Sequence, residues 1–253
     1  MVELTRCARK RKGVPGRNPI PTRETSEFER IHFSTALMTK CFKDCFMGRK
    51  VIDSYYVDFE DFKELVVCGR SVRNMLLPSE SALDFDDRVY PNLIRVFYSN
   101  IAISATRLDR MVTHVGGVLI EFDIEDLNNI LGIPNVHNIY TFRKEFSFVD
   151  FVHPDGVWNI CRHRDLTNDI CALPFQSQLL PLQVRILHTI LQHIVTPRKC
   201  HSDEVTRMDV GLLDSLLEGR PINLGYVILR HMLSTPVVNH RLLSYGSIIS
   251  KIL

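Results

Sequence analysis

The most regular pattern of hydrophobic positions spans residues 179–232 and predicts a series of amphipathic helices. Between residues 184 and 194, apolar side chains recur three or four positions apart and leave only a narrow polar strip. We therefore expect this first helix to lie centrally in the fold. Thr196-Pro197 should end it, because proline disfavours helical backbone in the residue before it. The polar strip consists of Arg185, His188 or Thr189, and Gln192.

Two further helices are predicted after the central one. The second should begin at Asp209, whose carboxylate can accept hydrogen bonds from free backbone N–H groups, and end at Gly219, which tolerates a left-handed C-cap. Asn223 is expected to cap a third helix that ends before Pro236. Together with the start of one more helix over residues 242–253, these segments predict a packed helical array.

The N-terminal half has a less continuous pattern. Apolar residues between positions 28 and 46 predict an interrupted helix, and residues 59–67 predict another helix that ends before Gly69. Pairs of apolar residues four positions apart between residues 89 and 101 predict a clear amphipathic helix. We expect the aromatic side chains of that helix to belong to the core.

One short segment has the pattern of a β-hairpin. Two β-rich runs, residues 111–115 and 118–122, flank the pair Gly116-Gly117. Asp123 is expected to cap a short helix directly after the hairpin. A two-stranded ribbon is only marginally stable by itself, so it should pack on neighbouring helices. The predicted fold is therefore mainly α, a multi-helix globular domain with one small β-hairpin.

The composition is that of a globular, intracellular protein. A hydrophobic share of 45% in 253 residues is enough to bury a sizeable core. No window approaches the roughly 20 apolar residues that a membrane span needs, and no apolar signal-peptide core follows Met1. The seven scattered cysteines favour free thiols in a reducing compartment. We expect no membrane contact, and a location in the nucleus or cytoplasm with the nucleus favoured.

The positive charge is concentrated at the N-terminus. The first 23 residues contain seven basic side chains and one acidic side chain, which leaves 24 basic against 28 acidic residues in the remainder. Together with several glycines and prolines, this predicts a disordered basic arm over residues 1–25 and a helical domain over residues 26–253. Arg9, Lys10, Arg11 and Lys12 could act as a nuclear-import signal or bind phosphates nonspecifically. A solubilising tail is the alternative.

The sequence does not support an enzyme. His163-Arg164-Asp165-Leu166 matches the start of a protein-kinase catalytic loop, but Ile170 stands where that loop needs a metal-binding asparagine. The glycine-rich loop, strand lysine and Asp-Phe-Gly motif of kinases are also missing. We therefore predict no catalytic residues and no cofactor.

Cysteine and histidine spacing does not predict a metal site. Cys41 and Cys45 lie on one helix face, but no nearby pair completes a tetrahedral zinc site, so we interpret them as small buried apolar side chains. A second set of residues also lacks zinc-knuckle spacing and is interpreted as ordinary loop side chains. This set comprises Cys161, His163, Cys171, Cys200 and His201.

The order of several short motifs resembles the plant transposon protein domain, a family of plant retroelement-derived proteins related to the first open reading frame of Athila-type elements. The similarity covers roughly residues 28–253 and depends on the order and separation of the motifs. The motifs are Tyr90-Pro91 with Val96-Phe97-Tyr98-Ser99-Asn100, Gly117-Val118 through Phe122, Leu127-Asn128-Asn129-Ile130-Leu131-Gly132-Ile133-Pro134, Ile190-Leu191 to Pro197, Leu212-Leu213 to Gly219, Ile222-Asn223-Leu224-Gly225, and Gly246-Ser247-Ile248-Ile249.

The resemblance implies a mainly helical domain without established catalytic residues. We accordingly expect a non-enzymatic, retroelement-derived domain that serves as a structural or capsid-like interaction module and binds its own copies or a host protein. A nucleic-acid-binding protein that uses the basic arm is one open alternative. A nonfunctional retroelement fragment is another, because the chain ends soon after Ile249 in an apolar segment and is predicted to be truncated there.

Overall fold

Most of the regular backbone that the structure describes is helical, which confirms the prediction of a mainly α fold. The computed structural model describes residues 27–33, 35–51, 64–67, 69–76, 89–103, 110–136, 160, 174–198, 203–236 and 242–253. The predicted basic arm, with Arg9, Lys10, Arg11 and Lys12, lies outside these residues.

Helices and short strands alternate along the described chain. The α-helices are α1 Glu27–His32, α2 Ala36–Cys41, α3 Val72–Leu76, α4 Pro91–Ser99, α5 Ile124–Leu131, α6 Leu182–Ile194, α7 Arg207–Glu218, α8 Leu224–Ser234 and α9 Gly246–Ile252. The strands are β1 Val66–Val67, β2 Arg70–Ser71, β3 Ala102–Ile103, β4 Arg110–Val115, β5 Val118–Asp123, β6 Phe175–Gln176 and β7 Glu204–Val205. Helix α2 continues into a π-helical turn, Phe42–Phe46, and a 3-10 turn, Ser177–Leu179, precedes α6.

The central helix α6 is buried along its apolar face, as predicted. Within the predicted polar strip, Thr189 is exposed, whereas His188 and Gln192 are buried. The Nε2 atom of Gln192 lies 2.8 Å from Nε2 of His188 and 3.5 Å from the carbonyl oxygen of Glu204. These two members of the predicted polar strip are therefore buried polar groups with partners inside the fold.

Helix α7 begins at Arg207 rather than at Asp209. Its N-cap is Thr206, whose hydroxyl accepts a hydrogen bond from the backbone N–H of Asp209 at 3.4 Å. The carboxylate of Asp209 accepts in return from the backbone N–H of Thr206 at 2.7 Å, which completes a capping box. The prediction that Asp209 is the cap is thus wrong. The predicted C-cap Gly219 and the predicted α8 cap Asn223 are confirmed.

The predicted hairpin is confirmed and is part of a three-stranded antiparallel sheet. Strands β4 and β5 pair from Val115 and Val118 outward. The turn residues Gly116 and Gly117 have φ values of 61° and 79°, the positive values of a type I′ turn, which suits the twist of paired strands. Strand β3 pairs with the other side of β4, so the strand order is β3-β4-β5.

Helix α4 packs across this sheet and links it to the helical array. The rings of Phe97 and Phe122 stack with their centroids 6.4 Å apart, and the hydroxyl of Thr113 donates to the carbonyl oxygen of Phe97 at 2.9 Å. Asp123 caps α5 as predicted, in a capping box with Asp126. Helix α5 in turn contacts α8, and α4 contacts α9. Among the described helices, none has both the length and the apolar character that a membrane crossing requires.

The helix predicted over residues 59–67 is absent from the described part of that segment. Val66–Val67 form strand β1, which pairs antiparallel with β2. Gly69 lies in the turn between the two strands with a φ of 78°. Stiff β-branched side chains next to a left-handed glycine favour a tight strand turn over a helix end. Residues 59–63 lie outside the described residues.

Candidate functional site

A hydrogen-bonded cluster of asparagine side chains, which we call the asparagine joint, connects α5 to α8. The fully buried Asn128 accepts a hydrogen bond from the backbone N–H of Gly225 at 3.1 Å and donates to Oδ1 of Asn223 at 3.1 Å. Oδ1 of Asn223 also accepts from the N–H of Tyr226 at 3.0 Å and so caps α8. Asn135 accepts from the amides of both other asparagines. Two motifs that underlie the family resemblance therefore meet in space and hold two helices together.

A second joint consists of buried tyrosines near α9. The hydroxyl of Tyr98 donates to the carbonyl oxygen of Ser244 at 2.8 Å. The hydroxyl of Tyr245 lies 2.6 Å from the carbonyl oxygen of Val195 and 2.8 Å from Nδ1 of His231. Burial raises the pKa of Tyr98 far above its ordinary value, so this hydroxyl stays protonated and can donate. Tyr98, in the α4 motif of the family resemblance, thus holds the segment before α9 against α4 by a hydrogen bond.

A buried carboxylate, an imidazole and a guanidinium, the kinds of side chain that enzymes use in catalysis, meet between α6 and α7. We call this group the Asp209 cluster, and it consists of Asp209, His188, Arg198 and Thr206. Oδ2 of Asp209 lies 2.5 Å from Nη2 of Arg198 and 3.6 Å from Nε2 of His188. The same oxygen accepts from the backbone N–H and hydroxyl of Thr206 at 2.7 and 2.6 Å. The other three residues of the cluster therefore converge on one carboxylate oxygen of Asp209.

The electrostatics of the Asp209 cluster favour a fixed, ionised carboxylate. Burial by itself raises the pKa of Asp209, but the neighbouring His188, the charge of Arg198 and the hydrogen bonds from Thr206 outweigh it, so the pKa lies below its ordinary value. The side chains of His188 and Asp209 are 1% and 0% exposed. Because these contacts join α6 and the segment that follows it to the first turn of α7, we interpret the cluster as structural.

A cavity of about 540 Å³ opens beside α3 and the junction between α7 and α8. Apolar side chains, among them Met75, Leu216 and Ile222, form much of its lining. The lining also includes Arg70 and Arg220, and none of its described residues is acidic. The volume of this partly apolar cavity lies within the range of about 300–1,000 Å³ that is typical of ligand pockets.

The outer edge of β5 is a second exposed feature. In the part of the sheet that the structure describes, no strand pairs with this edge. Val118 and Leu119 are 62% and 54% exposed. Since the pair beside a two-residue turn is hydrogen-bonded and bonding alternates along the ladder, Leu119 and Glu121 direct their backbone groups away from β4. Consistent with this alternation, the carbonyl oxygen of His114, opposite Leu119, accepts from Asn100 at 2.7 Å.

The family of the chain is decided by one comparison. The family model described as "Putative plant retrotransposon-related domain" matches residues 79–253. The chain belongs to this family. This membership confirms the resemblance to plant retroelement-derived proteins, whereas the relation to Athila-type elements and the single domain over residues 26–253 stay predictions. No curated protein sequence and no solved structure matches the chain.

Most residues considered for chemistry in this plant retrotransposon-related domain lie outside the described residues. Cys41 and Cys45 are described; both are partly buried and pack against the core, in keeping with their interpretation as small apolar side chains. Among the described residues, no group of three or more His, Cys, Asp and Glu side chains could hold a metal ion. The residues outside are Arg9, Lys10, Arg11, Lys12, Cys161, His163, Arg164, Asp165, Leu166, Cys171, Cys200 and His201.

Proposed function

We propose that this retrotransposon-related domain is a non-enzymatic interaction module that self-associates by pairing β5 with β5 of a second copy. The exposed edge of β5, with the apolar side chains of Val118 and Leu119, is the observation that carries the proposal. An open strand edge presents N–H and C=O groups that a further strand can satisfy. Two-fold pairs are the commonest homo-oligomers. Self-association is also the first requirement of a structural or capsid-like role.

The charges on β5 favour one register for this pairing. Leu119 can lie opposite Glu121 of the second copy, because both residues direct their backbone groups outward. The two glutamates then do not face each other directly, which would be unfavourable. Each Glu121 also keeps an ion pair within its own sheet, since Oε1 lies 2.8 Å from Nη1 of Arg110 on β4. The acidic side chain is therefore compatible with a symmetric strand pair.

The non-enzymatic part of the proposal is supported by how the domain uses its buried polar side chains. His188 and Asp209 fasten α6 to α7, and Asn128 fastens α5 to α8. Each therefore has a structural task. Reproducible turnover that depends on a nucleotide or metal ion, by the purified chain, would overturn this part.

The variant Leu119→Glu should weaken self-association about tenfold or more. In the register given above, each new carboxylate lies directly opposite Glu121 of the second copy, and like charges in that position destabilise a strand pair. Sedimentation velocity over a range of protein concentrations measures the effect. Leu182→Glu is the matched control, because Leu182 is 62% exposed on α6, outside the sheet.

The two variants separate the possible outcomes of this experiment. We expect Leu182→Glu to behave like the unchanged chain, so that a loss confined to Leu119→Glu assigns the contact to β5. Equal association by both variants would refute pairing at this edge. A monomeric unchanged chain that recruits a single host protein through β5 would replace self-association with host binding.

A second candidate function, nonspecific nucleic-acid binding, is supported by the concentration of basic residues in the first 23 positions. Deleting residues 1–25 should lower affinity for single-stranded RNA about tenfold or more, because each phosphate contact contributes roughly 0.7 to the slope of log affinity against log salt concentration. Fluorescence anisotropy at several salt concentrations measures both quantities. An unchanged affinity and slope after deletion would exclude Arg9, Lys10, Arg11 and Lys12 as the binding residues.

A further inference from the structure

The cavity beside α3 has a positively charged rim that the proposed self-association does not use. Nη2 of Arg70 is 3.5 Å from the carbonyl oxygen of Glu218, which is a long hydrogen bond. Among the described residues, this is the only hydrogen bond of the Arg70 guanidinium. A guanidinium has five N–H donors in a planar fork. Arg70 therefore retains most of its donors at the cavity.

A glycine makes this position of Arg70 possible. Gly219 ends α7 with a φ of 70°, and a Cβ atom built on it would lie only 1.6 Å from Nη1 of Arg70. The guanidinium thus occupies the space that any other residue would fill. Arg220, the second arginine of the lining, is in a different situation, because its guanidinium contacts the buried carboxylate of Asp214. The charge of Arg220 is compensated, whereas the charge of Arg70 is available.

We propose that the cavity binds a carboxylate attached to an apolar group, with the guanidinium of Arg70 holding the carboxylate and Met75, Leu216 and Ile222 contacting the apolar group. Arginine suits this task because its fork can donate two parallel hydrogen bonds to one carboxylate. The ligand is either a free small acid or the C-terminal carboxylate of a peptide with an apolar last residue. None of the residues that line the cavity belongs to β5, so this binding site does not depend on self-association.

Isothermal titration with matched probes tests this proposal on the full chain. Octanoate represents the free acid, with octanol as its uncharged counterpart, and an acetylated peptide ending in leucine is compared as its acid and its amide. We expect one or both acids to bind saturably and their uncharged counterparts to bind about tenfold or more weakly. Tighter binding by octanoate or by the peptide acid then identifies the source of the carboxylate.

Variants of the rim complete the test. Arg70→Gln should weaken binding of the acid about tenfold or more, and Gly219→Ala should also weaken it because Arg70 must move. Arg30→Gln, which removes the same charge from the exposed surface of α1, should bind as the unchanged chain does. Circular dichroism verifies folding, and Arg70→Lys, which keeps the charge without the fork, should give an intermediate affinity.

Three results would overturn the carboxylate site. The first is no saturable binding of either acid, and the second is equal affinity in the unchanged chain and Arg70→Gln. The third is binding of inorganic phosphate as tight as that of octanoate, which would mean that the apolar lining contributes nothing. Each result leaves the pairing of β5 unaffected, because that pairing is measured without any ligand.

Discussion

Replacing Gly225 with alanine should destabilise the folded domain by about 2–4 kcal/mol, although glycine-to-alanine changes inside helices usually stabilise by up to about 1 kcal/mol. A Cβ atom on Gly225 would lie 2.1 Å from Oδ1 and 2.9 Å from Cγ of Asn128. Either Asn128 leaves its position, and its buried amide loses hydrogen bonds to α8, or α8 moves away from α5. Urea unfolding followed by circular dichroism measures the loss.

Two further variants make the test of Gly225 specific. Gly48→Ala should change stability by no more than about 0.5 kcal/mol, because a Cβ atom there meets nothing within 4 Å. Combining Gly225→Ala with Asn128→Ala should cost less than the sum of the two single changes, since the second removes the clashing group. A Gly225→Ala chain as stable as the unchanged one would contradict the proposed joint.

Asp209→Ala should destabilise the domain by about 3–5 kcal/mol, the usual cost of removing one partner of a buried ion pair. The change removes the acceptor for Arg198 and for the backbone N–H and hydroxyl of Thr206. It thereby opens the capping box of α7 and separates α7 from α6. Urea unfolding at neutral pH measures the effect. Asp203→Asn on the exposed surface is the control, with an expected change within about 0.5 kcal/mol.

The Asp209 cluster also predicts how stability responds to acid. The pKa of Asp209 is lowered in the folded state, so its contribution is complete above the ordinary value of 3.8 and is lost as the pH falls below that value. Unfolding midpoints measured from neutral pH downward should therefore decline less steeply below pH 3.8 for Asp209→Asn than for the unchanged chain. Parallel declines would mean that the carboxylate has no depressed pKa.

Local signals in the sequence predict the helix ends well. Asp123 and Asn223 are side-chain caps, and Gly132 and Gly219 end their helices in the left-handed conformation, because each of these choices depends on a few neighbouring residues. The error at Asp209 has a local origin too. Thr206 precedes it by three positions, the spacing of a capping box, and this spacing is the signal that identifies Thr206 as the cap.

Long-range contacts explain what the sequence does not predict. Helical periodicity assigns His188 to the polar strip of α6, but nothing near it in sequence indicates that Asp209 will meet it in the core. Asn128 and Asn223 belong to separate motifs, and only the fold brings their amides to 3.1 Å. The cavity likewise depends on Arg70 lying against Gly219, a contact between distant segments. A pattern that sorts residues by hydrophobicity alone cannot predict which buried polar side chains will contact each other.

Size-exclusion chromatography with light scattering, on the full chain across a range of concentrations, tests self-association most directly. We predict a molar mass that rises with concentration from that of one 29.2 kDa chain toward that of two, and a lower mass for Leu119→Glu at each concentration. Adding single-stranded RNA should promote larger assemblies if the domain has a capsid-like role. The mass of a single chain at every concentration, with and without RNA, would contradict the account.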